Sequence, residues 1–259
     1  MLNILKAILR QTVRDKLLWG GAIYILATVL IQIIADSSLL RGTGSETFCS
    51  LGALLVILLP IAAGWVTARA CGADLRDKTA NYEVLFGKKR SAVYFGRFFA
   101  ALIIMIAVTL LVPLVCVGCM TLKNGWGGSF AFSNMLLHLG MVFPILFRLV
   151  CFFTALSFVS GNDLVPMALA FVGTMALILA SFLMEESGVA LSWHTGVTDL
   201  KMLLDFTNTT SGFLDGKEIT VYKAALSGGT ILRMLCTSFG IGLCWLFGGY
   251  ACFRKRDIS

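Results

Sequence analysis

Six runs of sequence, 17–35, 48–68, 92–120, 135–159, 164–184 and 231–253, are long, apolar and almost free of charge. They restrict the chain more than any other feature. A helix needs about 20 apolar residues to cross the hydrocarbon core of a bilayer, and inside that core every backbone N–H and C=O must find its partner within the protein. Only helices and closed barrels meet that demand. Barrel strands need about 10 residues of alternating polarity, whereas these runs are continuous, so they read as helices. The expected fold is therefore an all-α membrane protein with six transmembrane helices, one domain over residues 1–259. Composition agrees: 58% of the residues are hydrophobic, 14% are charged and mean hydropathy is +0.88, too apolar for a water-soluble domain of this size.

The net charge of +7 would suit a nucleic-acid ligand if it were gathered on a soluble domain, but here it alternates with the spans. Lys6, Arg10, Arg14 and Lys16 precede the first span. Arg69, Arg76, Lys78, Lys88, Lys89, Arg90 and Arg97 lie between the second and third, and Arg254, Lys255 and Arg256 follow the last. That places fourteen basic residues on one side against six on the other, Arg41, Lys123, Lys201, Lys217, Lys223 and Arg233. The excess marks the cytoplasmic face, so both termini are expected there; the first partner is the lipid bilayer, not nucleic acid. Residues 1–16 lack the layout of a signal peptide. Ile4, Leu5, Ile8, Leu9, Val13 and Leu17 share one helical face, with Lys6, Arg10, Arg14 and Asp15 off it, as in a helix lying in the membrane interface.

The most charged stretch, 74–97, lies between two apolar runs and is where a membrane bundle would meet something soluble. Leu75, Thr79, Tyr82 and Phe86 fall at helical spacing, with Arg76, Asp77, Asn81 and Glu83 off that stripe, which predicts a short amphipathic helix over 78–86. Gly87 can end it, Lys88, Lys89 and Arg90 form a basic turn, and Ser91 is placed to cap a helix beginning at Ala92. Spacing alone leaves open a plain helix on the lipid surface.

Arg148 sits well inside the fourth run. The spans hold no Asp or Glu to pair with it, so it is expected to face water, a backbone or phosphate partner, or a substrate; a shifted span is the alternative. The longest outer loop, 185–230, carries an apolar patch at Leu200, Met202, Leu203, Leu204 and Phe206, which suggests a short helix that dips into the outer leaflet or caps the bundle, as a lid or a plain cap. In the last run Gly240, Cys244, Gly248 and Cys252 recur every fourth residue, a small-residue stripe for close helix packing.

Other chemistry finds little support. Of the eight cysteines most lie inside spans, and Cys116 and Cys119 form a CxxC with no second ligand pair nearby. His138 and His194 have no metal-ligand spacing and read as structural. Gly212, Gly216 and Lys217 miss a phosphate-binding loop by one residue, with Glu218 where Ser or Thr is needed. Nothing in the chain reads as a nucleotide site or a catalytic constellation.

In these features the whole chain resembles the membrane subunits of type 2 ATP-binding cassette (ABC) exporters. In that family an interfacial elbow helix precedes six spans, and the cytoplasmic loop between spans two and three carries a coupling helix that docks on the ATPase. Residues 1–16 look like the elbow and 74–91 like the coupling loop, with Asp74, Lys78, Thr79, Asn81, Leu85, Gly87, Arg90, Ser91 and Arg97 in the family's motif places. Glu83, Lys88 and Lys89 depart from that pattern. The resemblance implies that Asp74, Tyr82, Glu83, Leu85, Phe86 and Arg90 couple to the ATPase and that Arg148 stands on the transport path. It also implies that ATP and Mg bind on a separate ATP-binding subunit, with no cofactor and no enzymatic activity in this chain. A second permease copy completes the channel in the bacterial inner membrane, and the small six-span members suggest a hydrophobic or amphipathic toxin or antimicrobial peptide as cargo. Left open are an exporter of a lipid, drug or glycan, and a sensor or immunity protein that sequesters a peptide without transport.

Overall fold

A computed structural model describes residues 2–16, 19–21, 23, 27–28, 31, 42–77, 79–186, 195–204, 206, 209–214, 217–222 and 226–255. Among the described residues, five helices are long and apolar enough to cross a membrane; the expected span 17–35 lies largely outside them. The chain opens with α1 (Leu2–Val13). Next comes α2 (Gly44–Thr67), which continues through a π-helical turn, Ala68–Gly72, into a last helical turn, α3 (Ala73–Arg76). The short α4 (Thr79–Leu85) leads to three long helices, α5 (Arg90–Asn124), α6 (Phe132–Ser160) and α7 (Leu164–Glu186). The segment before the last helix holds α8 (Gly196–Leu204) and an antiparallel hairpin, β1 (Thr209–Leu214) and β2 (Lys217–Tyr222); α9 (Gly228–Lys255) closes the described chain.

The ends of the helices differ from expectation in instructive ways. The second span extends to Arg76, so Arg69, Asp74 and Arg76 stand on a helical extension and not in a loop. The stripe from Leu75 to Phe86 is broken at Asp77: Leu75 is buried with α3, while Tyr82 and Phe86 are exposed beyond it. α5 begins at Arg90 after Lys89, so Ser91 lies inside the helix and does not cap it. At 35 residues α5 is about 52 Å long, well beyond the hydrocarbon core. Gly87 with φ +85° follows the end of α4 as anticipated, and Gly161 with φ +66° ends α6, both in the left-handed region that glycine tolerates.

The hairpin was not expected within an otherwise helical chain. Leu214 pairs with Lys217, and the sequence between them, Asp-Gly, is among the pairs favoured in two-residue hairpin loops. Gly212 and Lys217 of the near-miss phosphate pattern therefore lie on strands, without the helix N-terminus that such a loop requires. The Tyr222 N–H donates to the Ser129 carbonyl at 3.1 Å, tying the hairpin to the α5–α6 connection.

α2 is the hub, packing on α5, α6, α7 and α8, and α6 is covered by α9. The α6–α9 contact is not made by the expected stripe. Gly240 and Gly248 have nothing near a would-be Cβ, and Cys244 and Cys252 are exposed. The packed row is instead Met234, Ser238, Gly242, Leu246, Gly249 and Phe253. A Cβ on Gly249 would stand 2.7 Å from Ala155 Cα, and one on Gly242 2.9 Å from Phe147, so both helices approach only because these residues are glycine.

Candidate functional site

The α3–α4 end of the bundle collects most of the basic residues, and there an ionic frame is built around Arg97. This arginine stands two turns into α5 and is 1% exposed. Its Nη2 donates to Asp74 Oδ2 and its Nη1 to Glu83 Oε2, each at 2.9 Å. Gln11 Nε2 of α1 donates to the other Asp74 oxygen at 3.1 Å. One guanidinium fork thus fastens the extension of α2, the short α4 and α5 together, a geometry that arginine provides and lysine does not.

A second set of pairs widens the frame. Arg69, on the π-helical turn, donates to Asp15 at 2.7 Å and to Asp163 at 3.3 Å, and Arg76 Nη1 donates to both Asp163 oxygens at 3.0 and 2.8 Å. Asp163 is buried in the tight turn between α6 and α7. Gly72 makes that approach possible, since a Cβ there would stand 2.7 Å from Asp163 Cα. The π-helical turn widens the helix by one residue per turn, and it is this turn that carries Arg69 and Gly72. At the other edge Arg90 Nη1 donates to the Phe253 and Arg254 carbonyls at the end of α9, which an α-helix leaves without intrahelical partners.

The residues expected to couple to a partner divide accordingly. Asp74, Glu83 and Arg90 are engaged within the chain: Asp74 and Glu83 accept from Arg97, and Arg90 donates to the end of α9. Tyr82, Leu85 and Phe86 point outward and are 55%, 66% and 86% exposed. Tyr82 and Leu85 on this seven-residue helix and Phe86 just after it thus form an exposed apolar patch beside the ion-pair frame. Residue-level signals could have found the frame's centre: Arg97 is a lone cation inside an apolar run, as Arg148 is. Asp15, Asp163 and Gln11 carry no such signal.

Arg148 has a different surrounding from the one expected. Its Nη2 donates to Asp199 Oδ2 at 2.6 Å, and the two side chains are 5% and 3% exposed. The carboxylate missing from the spans is supplied by α8. Arg148 lies about 24 Å along α6 from its start at Phe132, so α8 lies within the bundle beside α6 and not over its end. Gly196 sits against Leu149, the Leu204 carbonyl against Gly52 of α2, and His138 Nδ1 lies 2.7 Å from the Leu203 carbonyl. As a carbonyl only accepts, His138 Nδ1 is the donor in this contact; His194 lies outside the described residues. Leu200, Leu203 and Leu204 are fully buried, which accounts for the apolar patch. Thr195 and Thr198 exchange N–H···Oγ bonds at 2.9 and 3.1 Å at the buried start of α8, and Asp199 in its first turn complements the helix dipole.

No protein-family model matches this chain, and no curated protein matches it either.

Proposed function

We propose that this chain is the membrane-spanning subunit of an ATP-driven exporter of the ABC type, which moves hydrophobic or amphipathic peptides out of a bacterial cell or its inner membrane. ATP and Mg are held by a separate ATP-binding subunit. The observation that carries this reading is the exposed Tyr82, Leu85 and Phe86 tip on a helix fixed by Arg97. A chain without a nucleotide site does ATP-driven work only through mechanical contact, and a lever must be rigid at its mount and adhesive at its tip. In this reading α1 is the elbow, α4 is the coupling helix, both termini are cytoplasmic, and Arg148 stands beside the transport path in a state that α8 closes.

The test is co-purification of the ATPase with Leu85→Ala/Phe86→Ala. Truncating buried anchors of this kind costs about 2 kcal/mol or more of binding, so capture should fall more than tenfold. Leu179→Ala/Leu183→Ala, on the exposed face of α7, is the control and should bind normally. Undiminished capture by the first pair would remove the coupling assignment.

The reading also needs a second permease copy. The outward row Gly240, Cys244, Gly248 and Cys252 is a surface on which another helix could pack closely, and its cysteines are native reporters. Mild oxidation in membranes should give a disulfide-linked dimer that disappears in Cys244→Ser/Cys252→Ser. A dimer that persists in that variant, or none at all, would place the contact elsewhere.

A further inference from the structure

α5 and α6 follow one another through a short connection, yet they splay apart toward that end and leave an open cavity of about 760 Å³ between them. Its walls are Leu110, Pro113, Leu114, Val117 and Gly118 of α5 and Met135, Leu136 and Leu139 of α6, with Trp126 and Phe132 closing the end. The volume lies within the range of about 300–1,000 Å³ typical of small-molecule sites. Two residues of α5 bear on this space. Pro113 interrupts the hydrogen-bond ladder of α5, and Gly118 contributes no side chain where a Cβ would meet nothing within 4 Å.

Water does not suit this cavity. A bound water needs two to four polar partners, and the polar groups on the walls are already engaged: Thr121 Oγ1 donates to the Val117 carbonyl at 2.7 Å, and Trp126 Nε1 to the Phe130 carbonyl at 2.7 Å. The dimensions point to one occupant. From Leu110 to Leu122 the α5 wall runs about 18 Å, close to one leaflet of a hydrocarbon core about 30 Å thick. Trp126 stands at the connection end of the groove, and tryptophan prefers the depth of lipid headgroups. We infer that this cavity is a lipid-binding groove that takes an acyl chain of a phospholipid from the leaflet at the α5–α6 connection, lodged between the two helices as a wedge. The inference stands independently of the proposed transport function.

The experiment uses the full chain in nanodiscs containing phosphatidylcholine with a photoactivatable diazirine in its tail, with labelled peptides mapped by mass spectrometry. Labelling should concentrate on 110–122 and 132–139, several-fold above the exposed apolar face of α7. Gly118→Phe, which fills the groove from one wall, and Leu136→Trp, which fills it from the other, should each bring labelling there down to the α7 level while labelling of α7 and α9 stays unchanged, the sign that the bundle is intact. Labelling spread evenly over all exposed apolar faces would overturn the inference. So would labelling in the groove that both fillers leave untouched, or a copy-to-copy crosslink through Leu114→Cys showing that a second chain occupies it.

Discussion

Replacing Arg97 with methionine should destabilise the folded chain by about 3–5 kcal/mol, the usual cost of removing one partner from a buried ion pair. It should also release α4 from the bundle. The guanidinium is 1% exposed and bonds two carboxylates, Asp74 and Glu83, from two different elements. Methionine keeps the apolar stem, so the loss isolates the charge. Without the fork the carboxylates face each other, with Gln11 alone still donating to Asp74, and α4 loses the anchor of its only described ion pair. Lysine should recover part of the loss, because an ammonium keeps the charge but cannot present two parallel N–H groups. Thermal unfolding in nanodiscs measures the first effect, and limited proteolysis at Lys88 and Lys89, exposed just after α4, measures the second. Arg97→Met/Asp74→Asn/Glu83→Gln should be more stable than Arg97→Met alone. A single variant that melts like the parent and resists protease equally would show that α4 is held by something other than this fork.

The helical membrane architecture was legible because the apolar runs are longer than any soluble core helix requires, and the ends at Gly87 and Gly161 were legible because a left-handed residue is chemically marked. Packing partners were not. In α9 two rows of residues, 240–244–248–252 and 234–238–242–246, share the same fourfold spacing, and both carry small residues. Which row faces α6 depends on where Phe147 and Ala155 stand, and spacing within one helix holds no record of that. The hairpin was readable in part: Asp215-Gly216 between Thr-, Ile- and Val-containing segments is a turn signal.

The ionic frame shows the same limit more sharply. Asp74, Glu83 and Arg90 occupy positions that a surface helix would present to a partner, and their charge reads as display. Their actual partners, Arg97 and the end of α9, are 23, 14 and about 163 residues away in sequence. The long separation of Arg90 from Phe253 closes the bundle ring, bringing the first turn of α5 onto the last of α9. With Asp74, Glu83 and Arg90 engaged within the chain, Tyr82, Leu85 and Phe86 remain as exposed apolar side chains beside Lys88 and Lys89.

Arg148 and Asp199 should show an effect of the same size, together with a rescue that separates structure from transport. Arg148→Met takes the ion-pair partner from buried Asp199, and Asp199→Leu takes it from buried Arg148. Each single change should cost about 3–5 kcal/mol, whereas replacing both by apolar side chains of similar size is often neutral or stabilising. The double variant Arg148→Met/Asp199→Leu should therefore regain most of the parent's stability. A cysteine at Val197, 5% exposed in α8, reports the position of this helix in a background otherwise free of cysteine. It should resist a thiol reagent in the parent and in the double variant and react in both single variants, as α8 leaves its place between α2 and α6. If the singles remain protected, the pair does not hold α8. The double variant then tests the path: with α8 docked and no charge at position 148, export should fall if Arg148 meets the cargo or if the pair must part during the cycle. Export at the parent rate would leave Arg148 and Asp199 as a structural pin and remove Arg148 from the path.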